Sequence, residues 1–134
     1  MTKKDDFNIE LFFAALADRT RLRLIHLIDE DEICVCYFAE VIGTNQPKIS
    51  RHLAYLKRAG LVSARRDGKW MHYQITNPKN KRAAEIFARI REMLKEDKEM
   101  QTDRKNLLNM CRAAASPQQP ANIQRAPRPQ IAAV

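Results

Sequence analysis

Three cysteines, Cys34, Cys36 and Cys111, are the residues of this chain whose chemistry points most directly to a ligand. Thiolates are soft donors that select soft, thiophilic ions, whereas hard cations prefer oxygen, so the set suits arsenic(III), antimony(III) or a soft divalent metal. A trivalent ion of this kind takes three ligands in a pyramid, while zinc wants a fourth donor that the neighbouring sequence does not supply. Residues two apart in a regular helix point about 200° from each other. Cys34 and Cys36 therefore grip one ion only if the first turn of a helix unwinds or the pair precedes it. The acids from Asp29 to Glu32 are expected to raise the pKa values of both thiols. The plainer alternative is that these cysteines are small buried hydrophobes. Three cysteines, two of them separated by one residue, make no disulfide framework and fit a reducing compartment.

The second chemical feature is a cationic stretch. From Lys48 to Lys69 the chain carries Lys48, Arg51, Lys57, Arg58, Arg65, Arg66 and Lys69 against the single acid Asp67, so much of the formal net charge of +8 is concentrated there. A local patch of one sign is the footprint of a phosphate-binding surface, whereas solubility needs only dispersed charge. Lys48 and Arg51 are expected at base edges or phosphates of double-stranded DNA, supported by Gln46 and Ser50, with Arg58 on the same cationic face. Arg65, Arg66 and Lys69 are expected on the sugar-phosphate backbone. An acidic protein is the competing partner for such a face. His52 flanks the apolar stripe and reads as a packing residue.

These groups need elements to hold them. Asn45 is a good N-cap, Pro47 sits in the first turn where a missing amide hydrogen costs nothing, and Gly60 suits a helix end; between them Ile49, Leu53 and Leu56 make one apolar stripe. Upstream, a short helix through Ile33 to Ile42 stops at Gly43. Short helix, tight turn and longer cationic helix form a helix-turn-helix pattern. Leu61 to Arg66 alternates, Asp67-Gly68 is a two-residue hairpin turn, and Lys69 to Ile75 returns as a strand, which adds a basic wing with Trp70 and Tyr73 packed beneath it. Asp18 caps a helix running to Ile28 whose wet side holds Arg19, Arg21 and Arg23. The apolar excess at Leu11, Phe12 and Phe13, and a long amphipathic helix from Lys79 to Lys98 with Ile86, Phe87, Ile90 and Met93, point to a two-fold homodimer.

The expected fold is mainly α with a small β-hairpin, a winged helix-turn-helix. Residues 1–98 form the DNA-binding and dimerisation domain, 99–112 a helical extension carrying Cys111, and 113–134 a disordered tail rich in Pro, Gln and Ala. No apolar run is long enough to span a membrane and no signal-peptide core follows Met1, so the expected location is cytoplasmic. Catalysis is not expected. A phosphatase-like thiol reductase needs an arginine six residues after its cysteine, where Glu40 follows Cys34 and Ile42 follows Cys36, and no triad, carboxylate pair or phosphate loop is present.

Taken in order, residues 8 to 96 resemble the ArsR/SmtB family of bacterial metal-responsive repressors. The specific pieces are Glu-Ile-Cys-Val-Cys at 32–36, close to the family's Glu-Leu-Cys-Val-Cys box, and Asn-Gln-Pro-Lys-Ile-Ser-Arg-His-Leu from Asn45, followed by Leu-Lys-Arg-Ala-Gly-Leu-Val from Leu56. The first marks the arsenic-sensing branch, the second the superfamily. The resemblance implies a dimer that sits on an operator, represses arsenic-resistance genes and lets go when arsenic(III) or antimony(III) binds the cysteines. One version of the box has a third thiol three residues after the second; here that position is Ala39, which leaves Cys111 as the remaining thiol. The zinc-sensing branch places histidines on the final helix, and from Lys79 to Lys98 there are none. Cadmium, zinc or thiol oxidation as the signal is the alternative.

Overall fold

The computed structural model describes residues 7–112 and Pro127; the tail expected at 113–134 lies otherwise outside the described residues. Six helices and three strands follow in the order α1 (Ile9–Leu16), α2 (Arg19–Ile28), β1 (Ile33–Cys34), α3 (Val35–Ile42), α4 (Gln46–Arg58), β2 (Val62–Asp67), β3 (Trp70–Ile75), α5 (Lys81–Leu94) and α6 (Lys98–Arg112). Helix starts are written locally. Asn8, Asp18, Asn45 and Asn80 each adopt an extended conformation and accept a hydrogen bond from the backbone N–H three residues on, satisfying a donor that the helix itself leaves open. Gly43 ends α3 in the left-handed conformation, which costs a residue without a Cβ little.

The three strands form an antiparallel sheet in the order β1-β3-β2. The hairpin pairs Val62 with Ile75 through Asp67 with Trp70, so the two turn residues are Gly68 and Lys69, one position later than the sequence predicts, with Gly68 at φ +62. β1 is the larger departure. Ile33 and Cys34, expected in the short helix, are extended and pair with Tyr73 and His72 of β3.

Leu24, Ile25, Leu27 and Ile28 of α2 pack with Tyr37 and Phe38 of α3 and with Ile49, Leu53 and Leu56 of α4 in one fully buried core. Each such side chain contributes on the order of 1.5–3 kcal/mol by leaving water. The long helix expected from Lys79 to Lys98 is α5, which stops at Leu94, and Asp97 caps α6 by accepting from Met100 N–H at 3.1 Å. α6 is no loose extension: Met100, Leu107 and Cys111 are buried, and Asp103, only 3% exposed, accepts from Nε and Nη2 of the Arg23 guanidinium at 2.8 and 2.9 Å. Phe12 is also core, so of the three α1 residues expected at an interface it is Phe13 that stays exposed, with Ile9 beside it and Ile86 and Met93 on α5.

Candidate thiol site and nucleic-acid interface

Cys34 ends β1 and is also the residue preceding α3, with φ −68 and ψ 140; Cys36 lies in the first turn. The extended Cys34 removes the 200° divergence of a regular helix, and the two sulfurs stand 3.4 Å apart in contact, both fully buried. The pair thus meets without any unwinding, in an arrangement between the two expected, with Cys34 ahead of the helix and Cys36 in its first turn. Between the neutral thiols either sulfur can donate; once Cys34 is ionised the Cys36 thiol is the donor. That hydrogen bond, helped by the backbone N–H groups of Cys36 and Val35, lowers the Cys34 pKa to about 7 against burial, while Cys36 is pushed up because it keeps the shared proton and is itself buried.

The expected influence of the acids from Asp29 to Glu32 is absent from those causes, and the geometry explains it. Asp29 takes a hydrogen bond from Arg91 at 3.0 Å, Asp31 one from Arg104 at 2.6 Å, and Glu32 two from Arg65 at 2.7 and 2.9 Å. Each of these three carboxylates faces an arginine. Cys111 is buried on α6, but among the described residues no three His, Cys, Asp or Glu side chains are placed to hold one ion. The assembled unit is a two-sulfur site. Sequence reasoning missed His72, the register partner of Cys34 in β3, 4% exposed, whose Nε2 has no hydrogen-bond partner and stands 3.8 Å from Asp67 Oδ2. Only the β1–β3 pairing, invisible while Cys34 is read as helical, brings it into view.

On the cationic side, Lys48, Ser50 and Arg51 are exposed on the first half of α4, Gln46 is half-buried beside them, and Ile49 and Leu53 face the core. Arg58, exposed at the C-terminal end, lies 4.9 Å from the Tyr55 ring centroid, and Arg21 lies 4.2 Å from the same ring. Arg21, expected on a wet face, instead binds the Ala14 and Ala15 carbonyls at 3.0 and 2.9 Å and meets His52 Nδ1 at 3.2 Å, tying the end of α1 to α4. On the wing, Arg66 folds back to the Gly68 carbonyl at 3.3 Å and Lys69 sits over Trp70 at 5.3 Å, both exposed at the tip. Arg65 is held by Glu32.

A helix-turn-helix joined to a hairpin wing, with cations along the second helix and the hairpin tip, defines a winged-helix nucleic-acid-binding domain. Residues 18–64 match the bacterial regulatory proteins of the arsR family. The arsenical resistance operon repressor of Escherichia coli is 48% identical over 65 residues, 48% of this chain and 56% of that protein. The cadmium resistance transcriptional regulatory protein CadC of Listeria innocua is 41% identical over 76 residues, 56% of this chain and 64% of its own length. The solution structure of a homodimeric winged helix-turn-helix DNA-binding domain from Mycobacterium bovis, a possible ArsR-family regulator, is 32% identical over 66% of this chain and 79% of that one, with a TM-score of 0.54. The chain belongs to the arsR family of bacterial transcriptional regulators. It spans between about half and two thirds of the length of these two curated relatives. No helix among the described residues is long and apolar enough to cross a membrane.

Proposed function

We propose that this chain is a dimeric transcriptional repressor that holds operator DNA with α4 and the wing and releases it when arsenic(III) or antimony(III) binds Cys34 and Cys36. The observation that carries the reading is the 3.4 Å sulfur pair at the first turn of the first helix of the helix-turn-helix. Two sulfurs already in contact need little movement to share one thiophilic ion. The low pKa of Cys34 supports ligation near neutral pH, because the thiolate is the ligand form. Cys111 is the third thiolate of this proposal, delivered by movement of the last turn of α6 or by the partner subunit. DNA contacts are assigned to Gln46, Lys48, Ser50, Arg51 and Arg58 on α4 and to Arg65, Arg66 and Lys69 on the wing. The exposed Ile9, Phe13, Ile86 and Met93 supply the apolar face of the two-fold dimer. The proposed working place is the cytoplasm.

The relative named for cadmium resistance favours a second reading, in which a soft divalent ion is the signal. Fluorescence anisotropy of the reduced protein on DNA from its own upstream region, titrated with arsenite, antimonite, cadmium and zinc, decides between them. Release by arsenite or antimonite, abolished in Cys34→Ser, supports the first reading; release by the divalent ions alone supports the second. Absence of DNA binding at every salt concentration refutes both. Unchanged arsenite affinity in Cys111→Ser removes Cys111 from the site.

A further inference from the structure

We propose that Glu32 is the positioning residue that couples the thiol pair to the wing, tying β1 to β2 through Arg65 so that a ligand bridging Cys34 and Cys36 shifts the hairpin. The inference rests on the thiol site of the proposed function. Its starting point is how little joins β1 to the rest of the sheet. This strand is two residues long and pairs only with β3, through Ile33 with Tyr73 and Cys34 with His72. In β2, on the far side of β3, Arg65 pairs with His72. Side chains alternate along a strand and match across a register pair, so Glu32, Cys34, His72 and Arg65 share one face of the sheet. Across that face Glu32 reaches over β3, two strand spacings or about 10 Å of backbone, and receives Arg65 Nε at 2.9 Å and Nη2 at 2.7 Å. A bidentate fork of this kind fixes orientation as well as distance.

Two further observations give the tie a direction. Both sulfurs are fully buried, so an entering ion must move something. On the α3 side Tyr37 and Phe38 are themselves fully buried, and a close-packed wall yields little. On the strand side lies the two-residue β1, with His72 opposite Cys34 making no hydrogen bond through its Nε2. Displacement therefore runs into β1, and Glu32, two residues before Cys34, carries it to Arg65 within the wing. The same ion pair explains why Arg65 differs from Arg66 and Lys69: its charge is already matched by a protein carboxylate.

The test measures deuterium uptake over residues 62–75 of the full reduced chain without DNA, before and after adding phenylarsine oxide, a trivalent arsenical that bridges neighbouring thiols. Wild type, Glu32→Gln, Arg65→Gln and the charge swap Glu32→Arg with Arg65→Glu are compared, with bridging confirmed by mass. The expected result is a change in wing exchange of about tenfold in wild type, in the range of typical coupling between sites. That change shrinks to within about twofold in either single variant and returns in the swap, which a merely structural role would not produce. Bridging that leaves the wild-type wing unaltered, or alters Glu32→Gln equally, overturns the proposal, as does failure of the arsenical to bridge the pair. A wing that responds while arsenite leaves DNA bound refutes the proposed function and leaves this coupling standing.

Discussion

Replacing Cys36 with alanine removes the donor that lowers the Cys34 pKa, and the consequence is a change in how stability depends on pH. In the folded chain Cys34 titrates at about 7 against a usual value of 9.0, while Cys36 is pushed above that value. Between pH 7 and 9 the unfolded chain holds both thiol protons and the folded chain only one. Stability therefore rises with pH across this window, by an amount on the order of 3 kcal/mol. Above pH 9 the sign reverses, because the unfolded chain has then released both protons while folded Cys36 keeps its own. The pair should place a stability maximum near pH 9. Cys36→Ala flattens the rising limb, since burial, which holds the Cys34 proton on, is then opposed only by the backbone N–H groups of residues 35 and 36.

Urea unfolding of the reduced protein and of Cys36→Ala at pH 6, 7.5 and 9, read as the difference between the two chains, isolates this contribution from other titrating groups. Thiolate absorbance followed against pH supplies the same midpoint independently. The reasoning fails if the variant shows the same rise in stability as wild type, or if Cys34 absorbance titrates at the same midpoint with Cys36 absent.

Asp103→Ala leaves the Arg23 guanidinium buried without its carboxylate and should cost about 2–4 kcal/mol, read as a lower urea midpoint. Ile86→Asp together with Met93→Asp should halve the mass measured by sedimentation while leaving the helical circular dichroism of the protomer intact, because both side chains are exposed in the single chain. Arg51→Ala should lower the slope of log K against log salt by about 0.9 for each phosphate the variant no longer neutralises, so by nearly two per dimer, whereas a side chain that only packs would leave the slope unchanged.

The winged helix was legible because its boundaries are local: caps at Asp18 and Asn45, the glycines at 43, 60 and 68, and apolar spacing on α4 each act within one turn of chain. What was not legible depends on partners distant in sequence. Ile33 and Cys34 read as helix by periodicity, and only the β3 ladder, some forty residues on, makes them a strand. The placement of Asp97 and the docking of α6 depend on Arg19, Arg23 and Asp31, which meet residues 97–104 across the fold. The thiol site was half readable. The chemistry of Cys34 and Cys36 follows from residue type, but their contact and the placement of His72 follow from the strand that replaced the expected first turn.

The same non-local pairing changes how the basic composition should be used. A charge count treats every arginine as an available cation, yet Arg19, Arg23, Arg91 and Arg104 bind acids within the fold and Arg21 binds helix carbonyls. Of the cations assigned to DNA, Arg65 is already shared with Glu32, so the exposed Lys48, Arg51, Arg58, Arg66 and Lys69 are the better placed to meet phosphate. Long-range attraction still responds to the whole excess, since paired charges cancel and the remainder is unaltered. Direct phosphate binding does not, and a salt slope set by counterion release reports the phosphates neutralised. A slope per dimer below that expected if every basic residue between Lys48 and Lys69 of both protomers met a phosphate is thus the expected behaviour of this surface. A Glu32→Gln variant whose slope steepened would show Arg65 passing from the internal set to the external one.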